Sequence, residues 1–220
     1  MLFENLLEVL DPEPHGAALN MAIDEVLLRS ATRPMLRVYR WERPAISLGY
    51  FEKLSALAVL APGVEMVRRW TGGGVVEHGG DVTYTLIAPA DHALARGGAA
   101  ESYRRIHDAV AALLAEQGTV AELAAVTAAK ISSGCFENAA EADILADGRK
   151  IAGAAQRRTR WGLLHQGSVQ GLALAPGFAA RLGRAFAAEI EQRPLAESEL
   201  AAARTLAAEK YATAAWLRRF

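Results

Sequence analysis

The sequence lacks several features that would point to a membrane, secreted or nucleic-acid-binding protein. It contains one cysteine, which excludes an internal disulfide. It has no continuous apolar stretch near the roughly 20 residues that span a bilayer. Its 24 basic and 25 acidic residues leave no excess of charge that would favour nucleic acid or an anionic membrane. Acidic residues stand near the N-terminus, where a secretory signal would carry basic ones, so we expect a cytoplasmic protein.

Metal-binding patterns are also absent. No pair of cysteines or histidines stands at the short spacing of a structural zinc site. His78 and Asp81 offer two candidate ligands, but two ligands do not close a metal site. The sequence therefore predicts no bound metal.

The sequence does contain what one globular domain needs. Its 220 residues are 52% apolar, which suffices for a hydrophobic core and a substrate cavity. Helical and strand patterns are mixed without the regular βαβ alternation of a doubly wound sheet. We expect a single domain spanning residues 1–220; two small domains are possible but not required.

Hydrophobic periodicity predicts the individual elements. The predicted helices span residues 20–28, 101–117, 178–191 and 198–216. The predicted strands span residues 36–41, 45–50, 64–68, 82–88, 143–146, 150–156 and 163–169. Two turn signals, Arg43-Pro44 and Asp147-Gly148, predict hairpins between the strands that they separate.

The most informative segment pairs two arginines with three consecutive glycines. Glycines lack a Cβ and accept positive φ, so this backbone can approach a ligand and direct several N–H groups at one oxygen. Guanidinium groups suit a carboxylate or a phosphate. The segment lacks the Lys-Ser/Thr of a P-loop and the G-x-G-x-x-G spacing of a dinucleotide site. The candidate ligand-binding residues here are Arg68, Arg69, Thr71, Gly72, Gly73, Gly74 and His78.

Two further residues carry reactive side chains in the second half of the sequence. Lys150 begins a predicted strand that is rich in small residues, which would allow a slender ligand or another backbone to approach. An exposed lysine at a strand end is the simpler interpretation. Cys135 follows a glycine in a polar loop; it is either a small buried hydrophobe or, beside a cation, a nucleophilic thiolate.

Four ordered segments together resemble a known family: NMAIDEVLL, RRWTGGGVVEHGGDVTYTL, GRKIAGAAQRR and LLHQGS. They resemble the catalytic domain of the lipoate-protein ligase and octanoyltransferase superfamily, over nearly the whole chain. The resemblance implies an α+β, biotin/lipoate protein ligase-like fold, with a mixed β-sheet flanked by helices. It also implies a medium-chain acyl substrate destined for a protein lysine.

Within the superfamily, the segment SSGCFENAAEADILADGRKIAGAAQRR resembles the cysteine-bearing, lipoate ligase-like octanoyltransferases. This resemblance implies that Cys135 accepts an octanoyl or lipoyl group from an acyl-carrier protein thioester, without a cofactor. Lys150 would lower the thiol pKa or polarise the acyl carbonyl. The acceptor would be a lysine of a lipoyl domain or of the glycine cleavage H protein. Further substrate contacts are expected at Gly153, Ala155, Gln156 and His165.

Three alternatives remain open at the level of sequence. An ATP-dependent lipoate-protein ligase would use ATP and Mg²⁺ through lipoyl-AMP, and Cys135 would then be incidental. A non-catalytic acyl-binding or acceptor-binding module is suggested by residues 138–142, which differ from the Pro-Ser-Trp-Tyr-Glu of relatives. An amidotransferase between two carrier domains would use nearly the same residues as the octanoyltransferase.

Overall fold

The structure is a computed structural model that describes residues 1–54, 64–128, 134 and 136–220. Cys135, the candidate nucleophile, lies outside the described residues. The described helices are α1 (Ala17–Ser30), α2 (Ala93–Arg96), α3 (Ala99–Glu116), α4 (Phe178–Phe186), α5 (Glu197–Leu206) and α6 (Ala214–Leu217), with a π-helical turn (Ala207–Tyr211) between the last two. The described strands are β1 (Phe3–Leu10), β2 (Met35–Tyr39), β3 (Ala45–Leu48), β4 (Glu65–Arg68), β5 (Val75–His78), β6 (Val82–Pro89), β7 (Glu122–Leu123), β8 (Ile144–Ala146), β9 (Arg149–Thr159), β10 (Gly162–Val169) and β11 (Ala187–Pro194).

The strands form one large and one small mixed sheet. The large sheet has the order β11-β1-β2-β6-β10-β9-β8-β7, and its first three strands run parallel. Each of the remaining neighbours pairs antiparallel. In the small sheet, β3 lies between β4, which is parallel to it, and β5, which is antiparallel. The predicted α+β class with a mixed sheet is confirmed.

The large sheet separates two hydrophobic clusters, because successive side chains of a strand point to opposite faces. Leu86 packs on one face with the apolar stripe of α3 and α4. Its neighbour Ile87 packs on the other face with α1 and α5. The sheet is therefore buried on both sides, and a ligand site must lie beside it or between the two sheets.

The Asp147-Gly148 hairpin is confirmed. Both residues have positive φ, 49° and 71°, as the tight turn between β8 and β9 requires. The hairpin predicted at Arg43-Pro44 is wrong, because β2 belongs to the large sheet and β3 to the small one. The break at this proline carries the chain from one sheet to the other.

The predicted helix over residues 178–191 is correct only as far as Phe186. From Ala187 the chain forms β11, an edge strand that pairs in parallel with β1 along seven residue positions. Alanine-rich composition favours a helix, but these backbone hydrogen bonds to β1 outweigh local propensity. Strand β5 was not predicted, because it directly follows the three glycines and is only four residues long.

Among the helices of the described residues, none is long and apolar enough to cross a membrane.

Candidate active site

A narrow slot lies between the two sheets. The small sheet contributes Ser47, Val76 and His78, and the large sheet contributes Gly153, Ala155 and Ser168. The surface of the slot is almost wholly apolar, although several lining residues are polar. Its volume is about 30 Å³, room for about two water molecules, so a longer ligand must widen it.

A wider and more polar chamber of about 440 Å³ adjoins the slot. Gly73 and Ala154 line both cavities, so the two meet at these residues. The chamber is also lined by Lys150, and by Gly134 from the loop before β8. The site thus combines the apolar slot with the more polar chamber, which Lys150 lines.

The loop formed by Gly72, Gly73 and Gly74, called the glycine loop below, borders both cavities. Hydrogen bonds to its carbonyl groups hold it in place. Gly73 has a φ of +82°, which favours glycine. The amide of Gly49 donates to the carbonyl of Gly74 at 3.1 Å. A Cβ on Gly49 would overlap the carbonyl oxygen of Gly73, so this close approach requires glycine.

Arg69 and Thr71 hold the loop in place. Arg69 donates from Nη2 to the carbonyls of Gly72 and Gly74, each at 2.9 Å, and it also lines the slot. Thr71 is fully buried and donates to the side-chain oxygen of Gln166 at 2.7 Å. A direct substrate contact by Thr71 stays a prediction, whereas its bond to Gln166 anchors the loop on β10.

Gln166 also links the glycine loop to α1. Its amide nitrogen donates to Asp24 at 2.7 Å, and Asp24 in turn forms an ion pair with the fully buried Arg37 at 2.7 Å. The motifs around residues 20–28, 68–78 and 163–168 are therefore connected by hydrogen bonds, although they are distant in sequence.

Arg68 does not line the slot or the chamber, so its role as a ligand-binding residue stays a prediction. It is fully buried, and its guanidinium donates to the backbone carbonyls of Gly49, Tyr50, Glu52 and Leu217. Alternation along β4 directs Arg68 away from its neighbour Arg69. Its position supports a structural role that ties the C-terminal helix to the segment before the glycine loop.

His78 lies in the wall of the slot in a hydrogen-bonded chain. Arg69 donates to the hydroxyl oxygen of Ser47 at 2.6 Å, so the hydroxyl proton points at Nε2 of His78, 2.6 Å away. Nδ1 of His78 then carries the proton and donates to Asp81 at 2.8 Å. Burial lowers the pKa of His78, which agrees with this neutral form. His78 also stacks on Trp41, with ring centroids 4.0 Å apart.

Asp81 completes this chain. Burial alone would raise its pKa, but hydrogen bonds from His78, Thr83 and Ser168 outweigh that effect and lower the pKa to about 2. Because these polar atoms bind one another, the slot presents mainly carbon atoms to a ligand.

Lys150 is buried, so its interpretation as an exposed lysine is wrong. Its side chain is only 3% exposed and forms an ion pair with Asp143 at 2.7 Å. The ammonium also lies 5.2 Å from the centre of the Phe136 ring, which lines the slot. Lys150 is therefore a cation held in the chamber close to the entrance of the slot.

Gln156 and His165 do not line the slot or the chamber, so a substrate contact by either residue stays a prediction. His165 is fully buried on the α3 side of the large sheet, between Gln156 at 3.1 Å and Tyr84 at 3.3 Å. Burial, with a further contribution from the nearby His107, lowers the pKa of His165 well below its ordinary value. Strand alternation sends His165 to this face because its neighbour Gln166 faces the glycine loop.

Sequence reasoning selected neither Asp143 nor Tyr103 as a site residue. The hydroxyl of Tyr103 donates to Asp143 at 2.5 Å, and both residues line the chamber. A signal for Asp143 was present: it precedes β8, and Lys150 is the second residue of β9, the hairpin partner of β8. Opposite charges at such cross-strand positions tend to pair.

Residues 16–170 match the family described as lipoyl protein ligase A/B catalytic domain. An octanoyltransferase LipM from Moorella thermoacetica is 40% identical over 162 residues, which cover 68% of this chain and 59% of that protein. The chain spans about 60% of the length of the curated relatives it matches.

Two solved structures share the fold. The Thermoplasma acidophilum protein Ta0514 with bound lipoic acid superposes with a TM-score of 0.80 at 22% identity, covering 99% of this chain and all of that one. A bi-partite lipoate protein ligase from the same organism, studied with its E2 lipoyl domain, gives a TM-score of 0.75 at 21% identity, with 98% and 96% covered.

Proposed function

Because the chain belongs to the lipoyl protein ligase A/B catalytic domain family, we propose that it is an octanoyltransferase of protein lipoylation. It moves an octanoyl or lipoyl group from a carrier-protein thioester, through an acyl-Cys135 intermediate, to a lysine of a lipoyl-accepting domain. The names of its curated relatives support the transferase over the ATP-dependent ligase.

One observation carries the proposal: the residues on either side of Cys135 border different cavities. Gly134 lines the polar chamber and forms a β-bridge with Val75, directly after the glycine loop. Phe136 lines the apolar slot. A thioester whose alkyl chain occupies the slot would therefore present its carbonyl near the junction, beside Lys150 and the glycine loop.

The reaction consists of two acyl transfers. The Cys135 thiolate attacks the thioester carbonyl, a new C–S bond forms, and the carrier thiolate leaves and takes up a proton. The lysine amine of the acceptor then attacks the acyl-cysteine, the C–N bond forms as the amine releases a proton, and the acyl C–S bond breaks so that Cys135 leaves as thiolate. Because a thioester already stores the free energy for amide formation, ATP and Mg²⁺ are not required.

Two parts of the site stabilise the substrate. Lys150 and backbone amides of residues 72–74 bind the negative charge that develops on the carbonyl oxygen, a role worth about 100- to 1,000-fold in rate for a single donor. The slot binds the alkyl chain, and each buried methylene contributes about 0.8 kcal/mol.

The partners follow from this chemistry. An acyl-carrier protein supplies the thioester, and the acceptor is a lipoyl domain or the glycine cleavage H protein. The solved T. acidophilum ligase, which is paired with an E2 lipoyl domain, is consistent with an acceptor of this class.

Intact-mass measurement after mixing the protein with octanoyl acyl-carrier protein tests the function. We expect an octanoyl adduct that hydroxylamine removes and that is absent from Cys135→Ala. Adding a lipoyl domain should transfer the label to its lysine. Full turnover by Cys135→Ala would contradict the proposal. Lipoylation that requires lipoate, ATP and Mg²⁺ but not Cys135 would establish the ligase instead.

A further inference from the structure

Asp143 is fully buried and holds Lys150 from a rigid position. Its Oδ2 accepts from the ammonium of Lys150 at 2.7 Å and from the amide of Ala140 at 2.6 Å. Its Oδ1 accepts from the hydroxyl of Tyr103 at 2.5 Å. Helix α3, the loop before β8 and the first residues of β9 thus meet at one carboxylate.

Tyr103 connects this carboxylate to the wall of the site. Its single hydroxyl proton is directed at Asp143, and its oxygen accepts from the amide of Ala154 at 2.9 Å. Ala154 lines both the chamber and the slot. The hydroxyl therefore fixes Asp143, and through it Lys150, relative to the point where the two cavities meet.

The carboxylate also has an electrostatic consequence. A charge as buried as that of Lys150 is stabilised by its partner, and the pair has no net charge. A neutral pair does little to lower the pKa of a thiol, whereas an oriented ammonium N–H still binds an oxygen that becomes negative during the reaction. Of the two roles expected for Lys150, the geometry favours the second, polarisation of the acyl carbonyl.

We propose that Asp143, braced by Tyr103, is a positioning residue that orients Lys150 toward the acyl carbonyl; this inference rests on the proposed octanoyl transfer. Asp143 acts through Lys150 and does not touch the substrate. Its contribution to the rate must therefore vanish when Lys150 is removed.

A double-mutant cycle on the full chain tests this dependence, with octanoyl acyl-carrier protein as donor and a lipoyl domain as acceptor. Asp143→Ala should reduce kcat by about 100-fold, because a misplaced catalytic group costs that much, and KM for the donor should change little. Lys150→Ala should cost at least as much. The double variant should be no slower than Lys150→Ala. Asp143→Asn keeps an oxygen acceptor for the ammonium and should restore part of kcat.

Asp108→Ala is the matched control, because it removes the same charge from an exposed position on α3. It should transfer octanoyl at the wild-type rate. If Asp143→Ala keeps full kcat, or if its loss multiplies with that of Lys150→Ala, the inference is wrong. Circular dichroism and thermal melting identify a variant that has simply failed to fold, and Asp143→Asn then replaces Asp143→Ala in the cycle.

Chemical labelling separates this inference from the function itself. Acetic anhydride modifies lysine amines, and mass spectrometry compares Lys150 with the exposed Lys53 in the same protein. Asp143→Ala should raise labelling of Lys150 severalfold relative to Lys53, whether or not the protein transfers octanoyl. Unchanged labelling overturns the inference. Absence of transfer by the wild-type protein, together with increased labelling in the variant, rejects the function and keeps the positioning of Lys150 by Asp143.

Discussion

Gly153 leaves open the space that the side chain of Lys150 occupies. A Cβ built on Gly153 would lie 2.7 Å from Nζ of Lys150 and 3.2 Å from Oδ1 of Asp143. Real Cβ atoms do not approach other atoms as closely as 2.7 Å. Any larger residue at position 153 would therefore displace the end of the Lys150 side chain. The missing Cβ of Gly153 thus leaves room for the buried ammonium of Lys150.

Gly153→Ala should therefore displace Lys150 while leaving the fold intact. We expect octanoyl transfer to fall by about 100-fold, since a shift of about 1 Å in a reacting group can cost that much. Steady-state kinetics with octanoyl acyl-carrier protein measure the effect, and thermal melting checks the fold.

Gly80→Ala is the control for this substitution, because a Cβ at Gly80 meets no atom within 4 Å. It should behave as the wild type. Equal activity of Gly153→Ala and Gly80→Ala would show that the position of Lys150 does not matter for transfer.

Narrowing the slot should change the preferred acyl chain length. Ala155 lines the slot, and its Cβ lies 3.6 Å from the position of a Cβ on Gly73. Ala155→Val adds two carbon atoms there and should exclude two or three methylenes of an octanoyl chain. At about 0.8 kcal/mol for each methylene, the loss is about 2 kcal/mol, or about 30-fold in kcat/KM.

Competition between octanoyl and butyryl carrier protein measures this prediction. The variant should lose octanoyl transfer and retain butyryl transfer. Ala201→Val on the exposed face of α5 serves as the control. A parallel loss for both chain lengths would mean that the chain does not enter this slot.

Arg68 should matter for stability and not for substrate affinity. Arg68→Met removes the side-chain donor from the partly buried carbonyl oxygens of residues 50, 52 and 217. Two or more unsatisfied carbonyls should lower the free energy of unfolding by about 3 to 5 kcal/mol. Urea denaturation measures the loss, with Arg204→Met on the exposed side of α5 as control. An increased KM for the donor at unchanged stability would instead restore Arg68 as a substrate contact.

Sequence patterns predicted the elements whose signals are local. The amphipathic stripe of α3 and the Asp147-Gly148 turn were correct because each depends on neighbouring residues. The chain from Ala187 to Pro194 was assigned to a helix because its partner strand, β1, lies more than 170 residues away in the sequence. No local pattern contains that pairing.

The same limit applies to the candidate site. The glycine loop and Lys150 were identified because glycine and lysine have distinctive backbone and charge properties. Tyr103 and Asp143 are 40 residues apart and meet only when α3 packs beside the β8–β9 hairpin. The face of the sheet on which His165 lies was not predicted, because the alternation of β10 cannot be assigned from sequence until one neighbour is known to face the ligand.

The buried His107 should make the protein sensitive to mild acid. It is fully buried, donates from Nδ1 to the carbonyl of Ala142 at 2.6 Å, and has no partner for Nε2 among the residues that the structure describes. Burial lowers its pKa from 6.5 to about 4, although the nearby Asp143 opposes this shift and Lys150 reinforces it. Below pH 6.5 the unfolded chain therefore binds a proton that the folded protein does not bind until about pH 4.

The free energy of unfolding must consequently fall as the pH falls from about 6.5 to about 4. Above about pH 7, protonation of His107 does not affect the free energy of unfolding. Between pH 7.5 and pH 5 the loss from this residue should be about 2 kcal/mol. His107→Gln removes the titrating group and keeps a donor for Ala142, so its free energy of unfolding should decrease less over the same range. Burial also lowers the pKa of His165, so part of the pH dependence of stability remains in this variant.

Urea denaturation at several pH values measures how steeply the free energy of unfolding changes with pH. Substituting the partly exposed His92 in His92→Gln should change this slope less. Identical slopes for the wild type and His107→Gln would mean that His107 has the same pKa in the folded and unfolded states and would contradict the prediction, because only a group whose proton binding differs between the two states contributes to the slope.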